Sequence, residues 1–438
     1  MLYQTPGAVV DLGWTVIGPI LLIVALFGLG VPVWVALGLG TVVLLLVTHV
    51  LPMSLFGQAL FDGVDAFALI AIPLYILTGD ALVRSGLSNK LIDIAEASLG
   101  SLRSGLGTST VLGCGFFSCI SGSDAAGAAA VGRIMYKRLV QRGYPPAYAC
   151  ALVASGSCTG ILIPPSISYI IIGLVLGISA STLFLAAAVP GIMIMLSVMV
   201  TNVVLNRINN YENSDDRFYF RHWLKTVWAG RYALAIPIII WGGIYSGVFT
   251  PTEAAAAAVV VTIAIGLWQG TLTLADFPKM LESSAKVNGV IVPIIAFAVP
   301  LAQSFSALNL PQSLVQSISQ VTTDPTLIIL MMLAVLVLAG CVMETTPNIV
   351  ILAPIMLPIA QNIGMSSIQF CIFMVTALGV GFITPPIGLN LFVLSGLTGE
   401  RILPIAGKAI PYLLAMLVVV LMLGFIPVLS LWAMRYGP

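Results

Sequence analysis

The chain has 438 residues, 59% of them apolar and only 8% charged, where soluble domains are roughly a quarter charged. That balance excludes a soluble enzyme. Seventeen Lys and Arg against sixteen Asp and Glu leave a net charge of +1, and no basic stripe interleaved with aromatics is present to neutralise a phosphate backbone, which excludes nucleic acid as a partner.

A bilayer core of about 30 Å takes roughly 20 apolar helical residues and no lipid-facing charge. No Asp, Glu, Lys or Arg occurs between Asp11 and Asp62, between Arg142 and Arg207, or between Glu344 and Glu400. The chain is therefore expected to be an all-α polytopic membrane protein. The start, MLYQTPGAVVDLGW, has no basic region or cleavage pattern before its apolar run, so no removable signal peptide is expected.

In chain order, apolar spans are expected at about 14–30, 33–50 and 66–84, then 147–179 and 181–206. After the polar stretch Asn206 to Lys225 they follow at 229–250, 252–270, 287–306, 368–397 and 409–434, ten in all. Two further apolar segments, 105–132 and 326–363, are interrupted by Ser-Gly-Ser-Asp and Glu-Thr-Thr-Pro. Such breaks leave backbone groups unpaired in lipid, so these segments read as re-entrant hairpins shielded by protein.

The six cysteines, Cys114, Cys119, Cys150, Cys158, Cys341 and Cys371, lie in apolar segments without CxxC spacing and read as small packing residues. Two histidines, His49 and His222, make neither a bis-His haem site nor an HExxH zinc site, and no GxSxG elbow is present. Catalysis has no nucleophile, base or metal constellation to use, so no enzyme activity is expected.

Orientation follows the positive charges. With the loop Arg133 to Arg142 in the cytoplasm, alternation brings 84–103, 207–231, 279–286 and 401–408 to the same side, and every Lys and Arg except Arg435 is then inside. Both termini are thus expected to be periplasmic.

The polar stretch divides the chain near its middle, and the halves share a register. Gly160-Ile-Leu-Ile-Pro-Pro-Ser-Ile returns as Gly381-Phe-Ile-Thr-Pro-Pro-Ile-Gly, and the same separation carries Asp124 onto Thr345. The expected organisation is two repeats, 1–225 with hairpin 105–132 and broken helix 147–179, and 226–438 with hairpin 326–363 and broken helix 368–397. Five spans per half start the second half on the opposite side of the membrane. That is an inverted-topology repeat, a transporter arrangement whose site lies at the repeat interface near the midplane.

Proline has no N–H for the carbonyl four residues earlier. Pro164 and Pro165 release the carbonyls of Gly160 and Ile161, and Pro385 and Pro386 those of Gly381 and Phe382. Oxygen-ligated Na⁺ is a natural partner at membrane depth; the alternative is a kink healed by Thr159 or Ser166. In the first hairpin, Ser123 or Asp124 is placed to cap the Ala-rich helix that follows, and in the second, Thr346 is placed to cap with Pro347 at the first helical position. Two helix N-termini would then face an anion.

Asp124 and Glu344 are carboxylates at membrane depth, open to Na⁺ ligation, proton coupling or capping alone. The hydroxyls of Ser121, Ser123, Thr345 and Thr346 are open to ion ligation or to local backbone bonding. The candidate substrate set is Ser123, Asp124, Thr346 and Asn348. The candidate ion set is Ser121, Gly122, Thr159, Gly160, Ile161, Glu344, Thr345, Gly381, Phe382 and Thr384, with two or more Na⁺ sites expected. Thr250-Pro-Thr-Glu253 fits a capping box and reads as the start of a span.

Seven blocks, in order, carry a family likeness: GVPVWVALGLG at 30–40, IPLYILTGDAL at 72–82, SGSDAAGAAAVG at 121–132, GILIPPSI at 160–167, GGIYSGVFTPTEAAAAAV at 242–259, APIMLPIAQNIG at 353–364 and GFITPPIGLNLFV at 381–393. The sequence resembles the large membrane subunit, of dicarboxylate-permease (DctM) type, of tripartite ATP-independent periplasmic (TRAP) transporters. The resemblance implies an elevator-type, Na⁺-driven importer of organic acids in the bacterial inner membrane. It also implies a separate small subunit of about four spans and an extracytoplasmic binding protein. The family's first hairpin commonly reads SGSSAADAAAVG; here Asp124 stands at the fourth place and Gly127 at the seventh, so Asp124 would replace the acid from one turn earlier. The alternatives are a single-component Na⁺/dicarboxylate symporter and a scaffold or receptor that keeps the fold without transport.

Overall fold

The computed structural model describes residues 13–212 and 218–436. The N-terminal leader reading, which falls on residues 1–12, and the centre of the polar stretch lie outside the described residues, as does the side chain of Arg435. Among the described residues the chain is helical, with no strand.

The first half opens with α1 (Trp14–Gly28) and α2 (Val33–Thr48), which pack together. The short amphipathic α3 (Met53–Val64) follows, then α4 (Ala71–Arg84) and α5 (Leu87–Leu99). Next come α6 (Gly105–Ser121), α7 (Asp124–Gln141), α8 (Pro146–Ser157), a 3₁₀ turn at Cys158–Ile161, α9 (Ile167–Leu176) and the long α10 (Ala180–Asn209). The second half runs through α11 (Phe220–Ala229), α12 (Arg231–Tyr245), α13 (Pro251–Trp268), α14 (Phe277–Ala307) and α15 (Leu310–Val321). It continues with α16 (Pro325–Val342), α17 (Thr345–Asn362), α18 (Ser367–Gly381), α19 (Leu389–Thr398), α20 (Ile402–Phe425) and the short α21 (Pro427–Leu431).

Six helices among the described residues are long and apolar enough to cross a membrane: Phe67–Arg84, Ala180–Asn209, Pro251–Trp268, Leu274–Ala307, Pro325–Val342 and Ile402–Phe425. A seventh forms if α11 and α12, bent by 72°, count as one span. The expected spans at 147–179 and 368–397 are each divided by a Pro-Pro break into α8 and α9, and α18 and α19, because neither proline can continue a helical ladder. Both Pro-Pro bonds are cis. The loop expected at Arg133 to Arg142 is almost wholly the second half of α7, because the Ala-rich helix begun at the first tip runs on through it, and the segments 84–103 and 207–231 carry the helices α5 and α11.

Apolar side chains divide between two environments. One contiguous core joins Phe117, Ile161, Phe184, Phe373 and Tyr412, and a smaller cluster ties Val16, Leu37 and Leu44 to Ile294, Leu301 and Phe305. Val200, Ile238, Val260, Leu338 and Leu414 are instead more than half exposed, as helices facing hydrocarbon require. Hydroxyls within the spans turn inward on their own backbone: Thr41, Thr110 and Thr376 each donate to the carbonyl four residues earlier. All six cysteines are free and buried, in keeping with packing. The capping box at Thr250 and Glu253 starts α13 as expected.

The helices of the two halves keep one register. α6 to α10 and α16 to α20 start at matching positions, and they interlock, with α9 against α17 and α19 against α7.

Candidate functional site: two helix tips at one cavity

The first tip is the turn between α6 and α7. Gly122 leaves α6 at φ 62°, a left-handed conformation that suits glycine. Ser123 is extended, caps α7, and accepts from the Ala126 amide at 3.4 Å. The Ser121 hydroxyl donates to the Ser123 carbonyl at 3.4 Å. Of the two candidate caps, then, Ser123 is the cap and Asp124 the first helical residue.

The second tip joins α16 to α17. Its cap is Glu344 rather than the expected Thr346, so Thr345 and Thr346 lie in the first turn and Pro347 is the third helical residue. The helix starts earlier because Asn348 Nδ2 bonds back to the carbonyls of Ala339, Met343 and Glu344, each at 3.1 Å. That side-chain tie fixes the turn before Thr346 is reached.

Each tip is pinned by the Pro-Pro break of its own half. The amide of Ile167 donates to the Gly122 carbonyl at 3.4 Å, and that of Gly388 to the Cys341 carbonyl at 3.2 Å. The two donors are separated by the same interval as Gly160 and Gly381. A Cβ on Gly160 would lie 2.6 Å from the Asp124 Cα, and one on Gly381 2.6 Å from the Gly340 carbonyl carbon. Both glycines of the repeated motif thus admit a neighbouring backbone.

Three of the four carbonyls released by the prolines find local donors. Ile161 O accepts from the Ser166 hydroxyl at 2.7 Å, the healing contact weighed above. Gly381 O accepts from Thr384 N at 2.9 Å and Phe382 O from Asn390 N at 3.1 Å. Each carbonyl retains a second lone pair. Thr159 bonds to Gly156 O at 2.7 Å and shares 3.1 Å with Ser118, and the Thr384 hydroxyl donates to Val380 O at 2.9 Å.

A cavity of about 410 Å³ brings the tips together. Ser121, Gly122, Ser123, Asp124, Ile161, Glu344, Thr345 and Thr346 line it. Thr159, Gly160, Asn348, Gly381, Phe382 and Thr384 are not among its lining and stand behind the tips. Asp124 is 4% exposed and lies within electrostatic range of Glu344, with the Asn390 amide beside it. Asp124 Oδ2, Asn348 Oδ1 and Asn390 Oδ1 are buried acceptors without a hydrogen-bond donor.

Asn390 escaped the reading of the sequence, although a polar residue four places beyond Pro386 in an apolar run is a signal in its own right. The lining, which does not include Asn390, takes in Asp80, Asn89, Arg133 and Ser283, all of which lie outside the broken helices and tips in sequence.

A family profile described as "Tripartite ATP-independent periplasmic transporter, DctM component" matches residues 20–429. The chain belongs to this family. DctM chains are transporter permeases of the inner membrane rather than enzymes, in accord with the multi-pass helices above. Relatives include the C4-dicarboxylate TRAP transporter large permease protein of Pseudomonas aeruginosa, 37% identical over 85% of this chain and 87% of that one. Another is the isethionate TRAP transporter permease protein DctMQ of Oleidesulfovibrio alaskensis, 32% identical over 92% of this chain; the chain spans 64% of that longer protein. The Alcanivorax borkumensis YdaH transporter has the same fold at 15% identity, with a TM-score of 0.60 over 88% of this chain and 90% of that one.

Proposed function

We propose that this DctM chain is the large permease of a Na⁺-coupled symporter that imports organic acids of C4-dicarboxylate or sugar-acid type. An extracytoplasmic binding protein delivers the substrate, and a small four-span membrane subunit works beside the chain. The repeats 1–225 and 226–438 have inverted topology with both termini periplasmic, and the domain holding both tips moves as an elevator. Relatives named for C4-dicarboxylate and isethionate support an organic anion as cargo.

The observation that carries this reading is the meeting of two helix N-termini and two carboxylates at one cavity. The amides that open α7 and α17, with Ser123, Thr345 and Thr346, present donors and positive dipole ends to an anion. Asp124 and Glu344 would repel that anion unless a cation sits between them. The residues present fit Na⁺: Asp124 Oδ2 and Asn390 Oδ1 are acceptors without donors beside the first tip, and Asn348 Oδ1 is one behind the second, and a buried acceptor left so costs about 1–3 kcal/mol. Bound Na⁺ supplies the positive charge that lets carboxylates and substrate share the cavity. The chain's own part is to hold the tips in place, through Asn348 and through the close approaches at Gly160 and Gly381.

The test is uptake of radiolabelled dicarboxylates and sugar acids into proteoliposomes holding the chain, the small subunit and the binding protein. Uptake that requires both an inward Na⁺ gradient and the binding protein supports the proposal. Uptake without the binding protein points to a single-component symporter, and uptake indifferent to Na⁺ overturns the coupling.

A further inference from the structure

The tip cavity extends along one face of α7 well beyond the tip. Ser123, Ala126, Ala129, Ala130, Arg133 and Ile134 line it, a spacing of three and four that keeps residues on one helical face. The wall runs from a capping hydroxyl, across methyl groups that offer no hydrogen bond, to a guanidinium.

Arg133 is the cation of this lining, which otherwise carries the carboxylates Asp80, Asp124 and Glu344. Asp80 is paired with Arg84 at 2.9 Å. Arg133 has no carboxylate within 4.0 Å among the described residues, is exposed, and contributes to the cavity's lining. From Ser123 to Arg133 the helix rises about 15 Å at 1.5 Å per residue. Helical side chains lean toward the N-terminus of their helix, so a guanidinium carried on several bonds of about 1.5 Å each closes much of that distance.

One end of the cavity thus offers helix N-terminal amides and hydroxyls, the other a planar fork of donors suited to a carboxylate, and alanine methyl groups lie between. We infer that Arg133 holds the second anionic group of a short dianionic substrate and thereby sets a preference for dianions over monoanions. This rests on the reading of the cavity as an organic-anion site. Arg133 acts here as a specificity determinant, reached by the distal end of the substrate while the proximal end meets the tips.

The test compares matched probes on the purified full chain in lipid nanodiscs with Na⁺. Succinate, malate and fumarate are paired with butyrate, 3-hydroxybutyrate and crotonate, and binding is read from ligand-induced thermal stabilisation. The wild type is expected to bind at least one dianion about tenfold or more tightly than its monoanionic partner. Arg133→Gln should bring that ratio close to one by weakening the dianion alone, with the ligand-free melting temperature unchanged, and Arg133→Lys should restore part of it. A ratio that survives in Arg133→Gln, or one absent from the wild type, overturns the role of Arg133 while leaving an anion site in place. Failure of the wild type to bind any of the six probes overturns the anion reading of the cavity and this inference with it.

Discussion

Gly160 lies against the backbone of Asp124 so closely that a Cβ on the glycine would stand 2.6 Å from the Asp124 Cα and 2.7 Å from its nitrogen. The obstacle is backbone at the start of a helix, not the yielding end of a side chain. The first Pro-Pro break and the first tip therefore share a surface with no room for even one methyl group. Gly160→Ala is expected to push the tip outward at a cost of about 1–3 kcal/mol. Na⁺-driven uptake should fall at least tenfold in a protein that still inserts and assembles. Gly381→Ala should behave alike, since its Cβ would meet the Gly340 backbone. Uptake in proteoliposomes, alongside melting temperature, checks both.

Asn348 joins the end of α16 to the start of α17 through three carbonyls. Asn348→Ala removes the donors and leaves those buried acceptors to compete for other partners, a loss of about 1–3 kcal/mol. Faster hydrogen exchange confined to residues around 339–348, with the rest of the chain unchanged, is the expected signature.

Asp124 and Glu344 carry opposite expectations from the exposed acids. Asp124→Asn and Glu344→Gln keep the shape of the cavity and remove charge, so each should raise the Na⁺ concentration for half-maximal uptake by an order of magnitude or abolish coupling. Glu282→Gln removes a carboxylate paired with Lys286 on an exposed face and should leave the Na⁺ dependence as it is. Titration of uptake against external Na⁺ distinguishes them.

Glu212 serves stability away from the cavity. Its carboxylate accepts from the Leu106 amide at 3.2 Å, opening α6, and from the Tyr144 hydroxyl at 2.7 Å, while Asn206 holds its backbone on both sides. Glu212→Ala should cost about 2–3 kcal/mol, as expected for bonds to a charged group, and Glu212→Gln less. Thermal unfolding in detergent measures this, and uptake per folded molecule should not change.

The membrane class, the two tips and the doubled proline motif were all legible in the sequence, because absent charge and repeated Gly and Pro are local signals. The box at Thr250 followed from residue type alone, and so did a cap at Ser123 or Asp124, between which only the folded turn chooses. The cap of α17 did not, since Asn348 moves it from Thr346 to Glu344 by reaching back across the turn, a contact that no local propensity encodes. Asn390 and Arg133 were missed for a related reason. Asn390 reaches the side of Asp124 through the packing of α19 on α7, and Arg133 lines the cavity from one face of α7; only the packed molecule brings those surfaces together. The second half of α7 was hidden by its charge, since Arg133, Lys137 and Arg138 read as a loop until they are seen to continue the helix begun at Asp124.

The tips share a register but not the means by which side chains hold them. The second is knotted by one amide with three acceptors at 3.1 Å, whereas the first rests on hydroxyl contacts of 3.4 Å. A pseudo-symmetric pair built this way is not a pair of equals: one half is tied by a side-chain amide that reaches across its turn, the other by serine hydroxyls within its turn. Substitutions at Ser121 and Ser123 should therefore alter what the cavity accepts at a smaller cost in stability than substitutions at Asn348, whose amide holds three carbonyls at once.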